Sequence, residues 1–190
     1  MKKFLIYSVV SATLIFTLLV LVALLNAGFT QKESGNFLST VPKEFPLEEQ
    51  SVSQNLSKAI QFKTISHQER ENTDWEEFSK FIKFLEETFP KTHSTLKREL
   101  INGYTPLFTW EGKQPSLPPV LLIAHYDVVP AEQSTEHLWK YPPFSGTIAE
   151  GYIWGRGTLD VKCNVMAIME SVEYLISKGF TPQRTILISF

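Results

Sequence analysis

The most apolar block of the chain lies at its N-terminus. Met1, Lys2 and Lys3 are followed by residues 4–25, which contain no charged side chain. A helix of about 20 apolar residues can cross a bilayer, whereas the apolar core of a signal peptide has about 7–15 residues. The pattern therefore predicts that residues 1–27 form a signal peptide or a signal-anchor helix, with membrane anchoring through residues 4–25 in the second case.

This leader predicts a protein of the secretory pathway. Positive charges before an apolar segment tend to stay in the cytosol, so Lys2 and Lys3 place the residues after Asn26 in the lumen or outside the cell. We therefore expect a secreted protein or one on the luminal side of a membrane. The tripeptide Asn-Leu-Ser that begins at Asn55 is an acceptor for N-glycosylation in that compartment, so Asn55 is a candidate glycosylation site.

A polar linker separates the leader from the remaining chain. Residues 28–50 contain two prolines and no hydrophobic period, so we expect an extended segment there. Residues 51–190 are then long enough for the greater part of one modest domain. We expect one hydrophobic core, built from this second part of the chain.

Two amphipathic helices are predicted at the start of this domain. Apolar residues recur at helical spacing over Val52–Phe62 and, more regularly, over Trp75–Phe89. Thr73 and Glu76 form a capping-box pattern ahead of the second helix, and Pro90 is predicted to end it. The charged residues of the second helix are expected to form its solvated face.

Short strands and one more helix follow. Pro106–Trp110 and Val120–Ala124 are predicted strands, and the uninterrupted apolarity of the second is typical of a strand covered on both faces. Thr147–Trp154 is predicted to form a hairpin, Val165–Ile176 carries a helical stripe, and Arg184–Phe190 begins another strand. This order of strands and helices predicts an α/β domain, in which ligands gather at the carboxyl ends of strands.

Composition and motif searches narrow the function classes. The net charge of −2 shows no basic excess, so nothing favours a nucleic-acid partner. Cys163 is the single cysteine, so the chain forms no internal disulfide, and it is weak support for a cysteine nucleophile. The chain contains neither G-x-S-x-G nor H-E-x-x-H, which disfavours a serine hydrolase and a zincin.

Three side chains suggest metal chemistry. His125 and Asp127 occupy alternate positions at the end of a predicted strand, so their side chains point the same way. Asp160 follows a loop in which Gly155 and Gly157 allow tight backbone bends. A neutral imidazole with carboxylates is typical of a zinc site. Taken singly, the three residues also fit a hydrogen-bonded loop histidine, a turn-forming aspartate and a helix cap.

Three motifs carry a family resemblance. HYDVVP begins at His125, W-x-x-P-P-F-S-G begins at Trp139, and G-x-I-W-G-R-G-T-L-D-x-K begins at Gly151. Together they resemble the dizinc metallopeptidase family of aminoacylases, carboxypeptidase S and acetylornithine deacetylase. The second and third motifs are most similar to the secreted N-fatty-acyl-amino-acid synthase/hydrolase branch and to carboxypeptidase S. The similarity extends from about Gln54 to Phe190.

The resemblance implies a fold and a site. The implied fold is α/β: the N-terminal part of a dizinc-exopeptidase-like catalytic domain, with a mixed sheet flanked by helices, truncated before its completion and before a lid and dimerisation domain. It implies that His125 ligates one of two zinc ions, that Asp160 bridges both, and that Asp127 is the catalytic-site aspartate that orients or tunes His125. A glutamate pair, comprising a general base and a ligand, is expected after Phe190 together with further ligands.

The resemblance also implies an activity. We expect zinc-dependent hydrolysis of the amide bond of N-acyl amino acids or small peptides, and in the fatty-acyl branch its formation as well. The full-length protein is expected to form a homodimer. The 190 residues alone are expected to be inactive because the base and several ligands are missing. The alternative is a truncated, membrane-tethered product with a non-catalytic binding or dominant-negative role.

Overall fold

The computed structural model describes Tyr7, residues 13–25 and residues 47–190. The chain divides into two compact units, Met1–Pro46 and Leu47–Phe190. In the first unit, residues 13–25 form helix α1. Within the described ranges no helix combines the length and apolarity that a membrane crossing requires. The predictions of a leader and a linker fall mainly on residues outside these ranges, and they stay predictions.

The second unit is described throughout, and it has three helices, then five strands, then a helix and a last strand. Short helical turns over Arg70–Asn72, Gln133–Leu138 and Thr158–Lys162 connect some of them. The helices and strands in chain order are α2 (Glu49–Gln61), α3 (Trp75–Thr88), α4 (Pro90–Thr95), β1 (Lys97–Ile101), β2 (Thr105–Trp110), β3 (Val120–Ile123), β4 (Thr147–Ala149), β5 (Tyr152–Trp154), α5 (Cys163–Ser177) and β6 (Ile186–Ser189).

A mixed four-stranded sheet organises the unit. Its strand order is β1-β2-β6-β3, with β3 parallel to β6 and the other neighbours antiparallel. The connection from β3 to β6 passes through the β4–β5 hairpin and α5. The hairpin turns at Glu150 and Gly151, which both have positive φ as the predicted tight turn requires. The predicted α/β class is therefore confirmed.

The core lies between the sheet and the apolar faces of α3 and α5. Phe78, Phe81, Ile82 and Leu85 recur at the helical period of α3 and are buried. They meet the buried face of α5 and the inward side chains of the sheet, among them Ile188. Gly179 closes the end of α5: its amide and the Phe180 amide donate to carbonyls in the last turn.

The start of α3 differs from prediction, whereas its end, at Thr88 just ahead of Pro90, agrees with prediction. Asp74, not Thr73, caps the helix: its Oδ1 accepts a hydrogen bond from the Glu76 amide at 3.1 Å. The Thr73 hydroxyl instead accepts from the His67 amide, which fixes the preceding turn. At the other end, Pro90 opens α4, because a proline lacks only an amide proton that the first turn of a helix leaves unpaired.

Two strands also differ from their predictions. β1 was not predicted, because its sequence, Lys-Arg-Glu-Leu-Ile, is largely polar and its residues are mostly exposed. β3 was predicted to be covered on both faces, but Leu121 and Ile123 are 51% and 69% exposed. β3 lies at an edge of the described sheet, and the described helices do not cover the face that these two side chains share.

Truncating Phe81 tests the core. Phe81 is fully buried and stacks on Tyr126, so Phe81→Ala leaves a cavity between α3 and the segment after β3. We expect a loss of about 3–5 kcal/mol in the free energy of unfolding, measured by urea denaturation. Lys83→Ala on the exposed face of α3 is the control and should change stability by less than about 0.5 kcal/mol. Equal stability of the two variants would contradict this packing.

Candidate metal centre

His125 and Asp127 follow the carboxyl end of β3. The ladder with β6 continues for one more residue, since the Ala124 amide donates to the Ser189 carbonyl at 3.1 Å. Side chains alternate along an extended chain. Because Ala124 and Tyr126 are buried, the side chains of His125 and Asp127 face the other way, toward a solvent-exposed cleft.

Tyr126 anchors this segment in the core. Its ring stacks on Phe81 with the centroids 4.8 Å apart and an interplanar angle of 9°. Its hydroxyl donates to the Tyr104 carbonyl. Burial, with the charge of Asp127, raises the pKa of Tyr126 above its ordinary value, so the hydroxyl stays protonated at physiological pH. The backbone on either side of this ring is therefore held in place.

A second segment, residues 64–66, braces Asp127 from the side. The Val128 amide donates to the Thr64 carbonyl at 2.8 Å, and the Ser66 amide donates to the Val128 carbonyl at 3.0 Å. This short parallel pairing brings the Ser66 hydroxyl to Asp127, where it donates to Oδ2 at 2.7 Å. One carboxylate oxygen of Asp127 is thereby fixed, and the other is turned toward His125.

The imidazole of His125 lies between two carboxylates. Its Nε2 is 3.0 Å from Oδ1 of Asp160, and its Nδ1 is 3.0 Å from Oδ1 and 3.1 Å from the carbonyl oxygen of Asp127. Partial burial lowers the pKa of His125, but the Asp127 carbonyl and the charges of Asp127 and Asp160 together outweigh it. The pKa is therefore raised above its ordinary value of 6.5.

Asp160 projects from the turn between β5 and α5. Gly157 begins this turn with φ of 87°, and a Cβ there would lie 2.6 Å from Cγ1 of Val128, so the close approach requires glycine. The Lys162 amide donates to the Gly157 carbonyl at 2.9 Å and closes the turn. The Asp160 side chain is 90% exposed, and its hydrogen-bond partner within the described chain is His125.

A buried lysine fastens this turn to α2. The Lys162 side chain is fully buried, and its Nζ donates to the carbonyls of Ala59 at 3.0 Å and Phe62 at 2.8 Å. Its Nζ also lies 5.0 Å from the centre of the Phe81 ring. Burial lowers the pKa of Lys162 to about 7. Both bonds persist in either protonation state, because a neutral amine still has two N–H groups.

His125 and Asp160 fit two ligand positions of a zinc ion. Zinc binds histidine nitrogen and carboxylate oxygen at about 2.0–2.2 Å in tetrahedral geometry, which separates neighbouring ligand atoms by roughly 3.3 Å. Nε2 of His125 and Oδ1 of Asp160 are 3.0 Å apart, close to that separation. Metal-binding imidazoles usually donate their other N–H to a carboxylate or carbonyl, and Nδ1 of His125 has both from Asp127.

The described residues supply part of a complete ligand shell. A structural zinc ion has four protein ligands, and a catalytic one has about three plus an open position. No group of three or more His, Cys, Asp or Glu side chains among the described residues is arranged to hold an ion. Asp127 contacts Nδ1 of His125, on the side of the ring away from Asp160, so it acts as a support for the pair.

A cleft of about 260 Å³ opens beside the pair. Arg156 is the cationic member of its lining, and its guanidinium stacks over the Trp139 ring at 5.3 Å. The lining of the cleft therefore includes one cationic and two carboxylate side chains, a setting suited to a polar ligand. It is lined by His125, Asp127, Val128, Val129, Gly155, Arg156, Gly157, Leu159 and Asp160.

The structure brings His125, Asp127 and Asp160 together and places Asn55 elsewhere. Asn55 lies within α2, and its Nδ2, the atom to which an N-glycan attaches, donates to Oε1 of Glu170 in α5 at 2.7 Å. Glycosylation of Asn55 stays a prediction. Sequence analysis missed Ser66, because a serine 61 positions before Asp127 gives no local signal of their contact.

Comparisons with known proteins find a family model that matches part of the chain, and several similar proteins. Residues 121–190 match the model of Peptidase family M20/M25/M40. A probable carboxypeptidase S-like 2 of Dictyostelium discoideum is 42% identical over 99% of this chain and 37% of its own length. The human N-fatty-acyl-amino acid synthase/hydrolase is 41% identical over 80% of this chain and 30% of its own length. The chain thus spans about a third of these curated relatives.

A solved structure shows the same fold. The M20 family metallo-carboxypeptidase Sso-CP2 from Sulfolobus solfataricus aligns with a TM-score of 0.55 at 23% identity, over 75% of this chain and 30% of that one. The likeness agrees with the predicted α/β fold, a mixed sheet flanked by helices. At this identity the likeness concerns the fold alone.

Ser66 offers a test of how Asp127 is supported. Ser66→Ala removes the hydrogen bond to Oδ2 and leaves the carboxylate free to rotate away from His125. We expect the zinc affinity of the full-length protein to fall by about 10-fold, the lower end for loss of such a supporting contact. Competition with a chromophoric chelator measures it, and Ser66→Thr, which keeps the hydroxyl, is the matched control. Unchanged affinity in Ser66→Ala would show that Asp127 does not depend on this bond.

The pH dependence of zinc binding provides a second test. Zinc binds the neutral imidazole, so protons compete with it for His125. Because the pKa of His125 is raised above 6.5, affinity should begin to fall at a higher pH than for an ordinary histidine and keep falling as the solution becomes more acidic. Asp127→Asn removes part of the negative charge, so the break in its affinity curve should lie at lower pH. Breaks at the same pH would contradict this electrostatic account.

Proposed function

We propose that the protein containing this chain is a zinc-dependent hydrolase of amide bonds. The confirmed resemblance of the chain to the M20 metallopeptidases supports this proposal. The proposed substrates are N-acyl amino acids or small peptides. The observation that carries the proposal is the pairing of His125 and Asp160 at 3.0 Å, with Asp127 behind the imidazole. Similarity to a probable carboxypeptidase and to an N-fatty-acyl-amino acid synthase/hydrolase supports this substrate class.

In the proposed site, each residue has a distinct part. His125 would hold an ion through Nε2, and Asp127 would keep the proton on Nδ1 so that the Nε2 lone pair faces the cleft. Asp160 would bind the same ion through Oδ1, and its exposed second oxygen is free to reach a second ion. When bound, two zinc ions lower the pKa of water toward neutrality and polarise a carbonyl group.

The general base is proposed to lie outside these 190 residues. Both carboxylates that line the cleft already have partners. Asp127 contacts Ser66 and His125, and Asp160 contacts His125. A base must be free to accept a proton next to the reacting group. The family resemblance supplies a glutamate for this role, together with the remaining ligands. The 190 residues alone are therefore proposed to be inactive.

The proposal also covers compartment and assembly. Residues 1–27 would direct the protein into the secretory pathway, with residues 4–25 either removed or kept as an anchor. The full-length protein would form a homodimer, as the family resemblance implies. The mass and N-terminal sequence of the mature protein, before and after deglycosylation, test the leader and Asn55 together.

The activity of the full-length protein is the direct test. Hydrolysis of N-acyl amino acids and dipeptides should disappear after chelation and return with zinc. His125→Ala and Asp160→Ala should each lower kcat/KM by about 1,000-fold, corresponding to a loss of several kcal/mol of charge stabilisation. His137→Ala, in the exposed turn over Gln133–Leu138, is the control and should stay active. Activity that survives chelation and both site variants would refute the proposal.

A separate assay concerns the 190-residue chain alone. Because its described residues bring only His125 and Asp160 to ligand distance, we expect no zinc-dependent hydrolysis above that of buffer. Chelator-sensitive turnover by this chain, abolished by His125→Ala, would overturn the placement of the base in another part of the protein.

A further inference from the structure

Lys162 has a charged side chain with no exposed surface. Lysine is almost never fully buried unless it is paired. No carboxylate forms an ion pair with Lys162 within the described residues, and its nearest ring is that of Phe81. A methionine would fill the same space without the cost of burying an amine. The amine is therefore explained by what it binds and not by packing.

The acceptors of Lys162 belong to the C-terminal end of α2. The last four carbonyls of a helix lack partners within the helix, and this end attracts cations. Ala59 lies in the last turn of α2, and Phe62 follows its final residue. Lys162 lies about 100 positions further along the chain, and its Nζ donates a hydrogen bond to each of these two carbonyls. It thus acts as a cap supplied by another segment.

The same side chain closes the turn that carries Asp160. The Lys162 amide binds the Gly157 carbonyl, so residues 157–162 form a closed loop with Asp160 at its exposed edge. Asp160 itself has no hydrogen bond in the described structure that would hold its carboxylate, apart from the one to His125. The position of the carboxylate consequently depends on the base of the loop, where Lys162 supplies the side-chain anchor.

We propose that Lys162 is a positioning residue of the metal centre: its two hydrogen bonds to the end of α2 hold the Asp160 carboxylate at His125. This inference rests on the proposed function for the identity of the ligand, but not for the geometry. Lys162 touches neither ligand with its amine and takes no part in the reaction. It acts through the backbone of residues 157–162.

Lys162→Met in the full-length protein tests this role. The side chain keeps its approximate volume, while the Ala59 and Phe62 carbonyls lose their donor. We expect zinc affinity to fall at least 10-fold, as for other supporting contacts. We also expect the cobalt-substituted protein to show altered visible absorption bands, because the ligand geometry changes. Lys58→Met, an exposed lysine in the same last turn of α2, should change neither.

A destabilising control separates positioning from general loss of stability. Leu85→Ala opens a cavity in α3 without touching the α2 carbonyls. Compared at conditions where both variants are fully folded, Leu85→Ala should keep the wild-type affinity and cobalt spectrum. Wild-type affinity in Lys162→Met, or an equal loss in both variants, would overturn the proposal.

Amide hydrogen exchange tests, without any metal, whether Lys162 anchors the loop over residues 157–162. In the metal-free protein, Lys162→Met should accelerate exchange of the backbone amide of residue 162 and of its neighbours in the loop. Leu85→Ala should leave these amides protected. Unchanged protection in Lys162→Met would reject the anchoring role. If His125→Ala leaves zinc binding intact, the proposed metal centre fails, and the exchange result still decides whether Lys162 anchors the loop.

Discussion

The site depends on the alternation of side chains over five residues after β3. Ala124 and Tyr126 point into the core, so His125 and Asp127 point into the cleft. A shift of one residue would exchange the two sets and bury the imidazole. The register is fixed from both sides, by the Ala124 amide on β6 and by the pairing of Val128 with residues 64–66. A change of register would also remove the stacked Tyr126 ring from the core, which costs free energy.

Asp160 reaches the site through the close packing of its loop on α2. A Cβ at Gly146 would clash with the Ser57 carbonyl, and a Cβ at Gly155 would clash with the Ile60 side chain. These glycines let two loops lie directly against the helix, and the Ser57 hydroxyl donates to the Gly146 carbonyl at 2.6 Å. Contacts with α2 therefore hold the loop with Asp160 in place, whereas His125 is positioned by β3.

Local sequence patterns predicted the parts of this architecture that local forces decide. The period of α3, the hairpin over Thr147–Trp154 and the strand after Arg184 follow from spacing and turn chemistry alone. His125 and Asp127 could be identified because a strand end delivers them together. The choice of Asp74 as helix cap was missed, because two adjacent residues could each supply an oxygen and the fold of the preceding turn decides between them.

The contacts that could not be predicted join distant segments. Nothing near Ser66 in sequence shows that it will meet Asp127, and a lysine after a motif aspartate looks like an ordinary surface residue. Their partners are defined only when residues 59–66 pack beside the strand end and the loop. The exposure of Leu121 and Ile123 was also missed, because apolarity does not reveal which face of a strand is covered within these 190 residues.

These separations bear on the order of folding. His125 and Asp160 are 35 positions apart, Ser66 and Asp127 are 61 apart, and Lys162 and Phe62 are 100 apart. Closing such loops costs entropy that must be met before distant contacts can form, which makes them slow. The arrangement of His125, Asp127 and Asp160 is consequently expected to form late in folding. These side chains, scattered along the newly made chain, come together only when the sheet and α2 have packed.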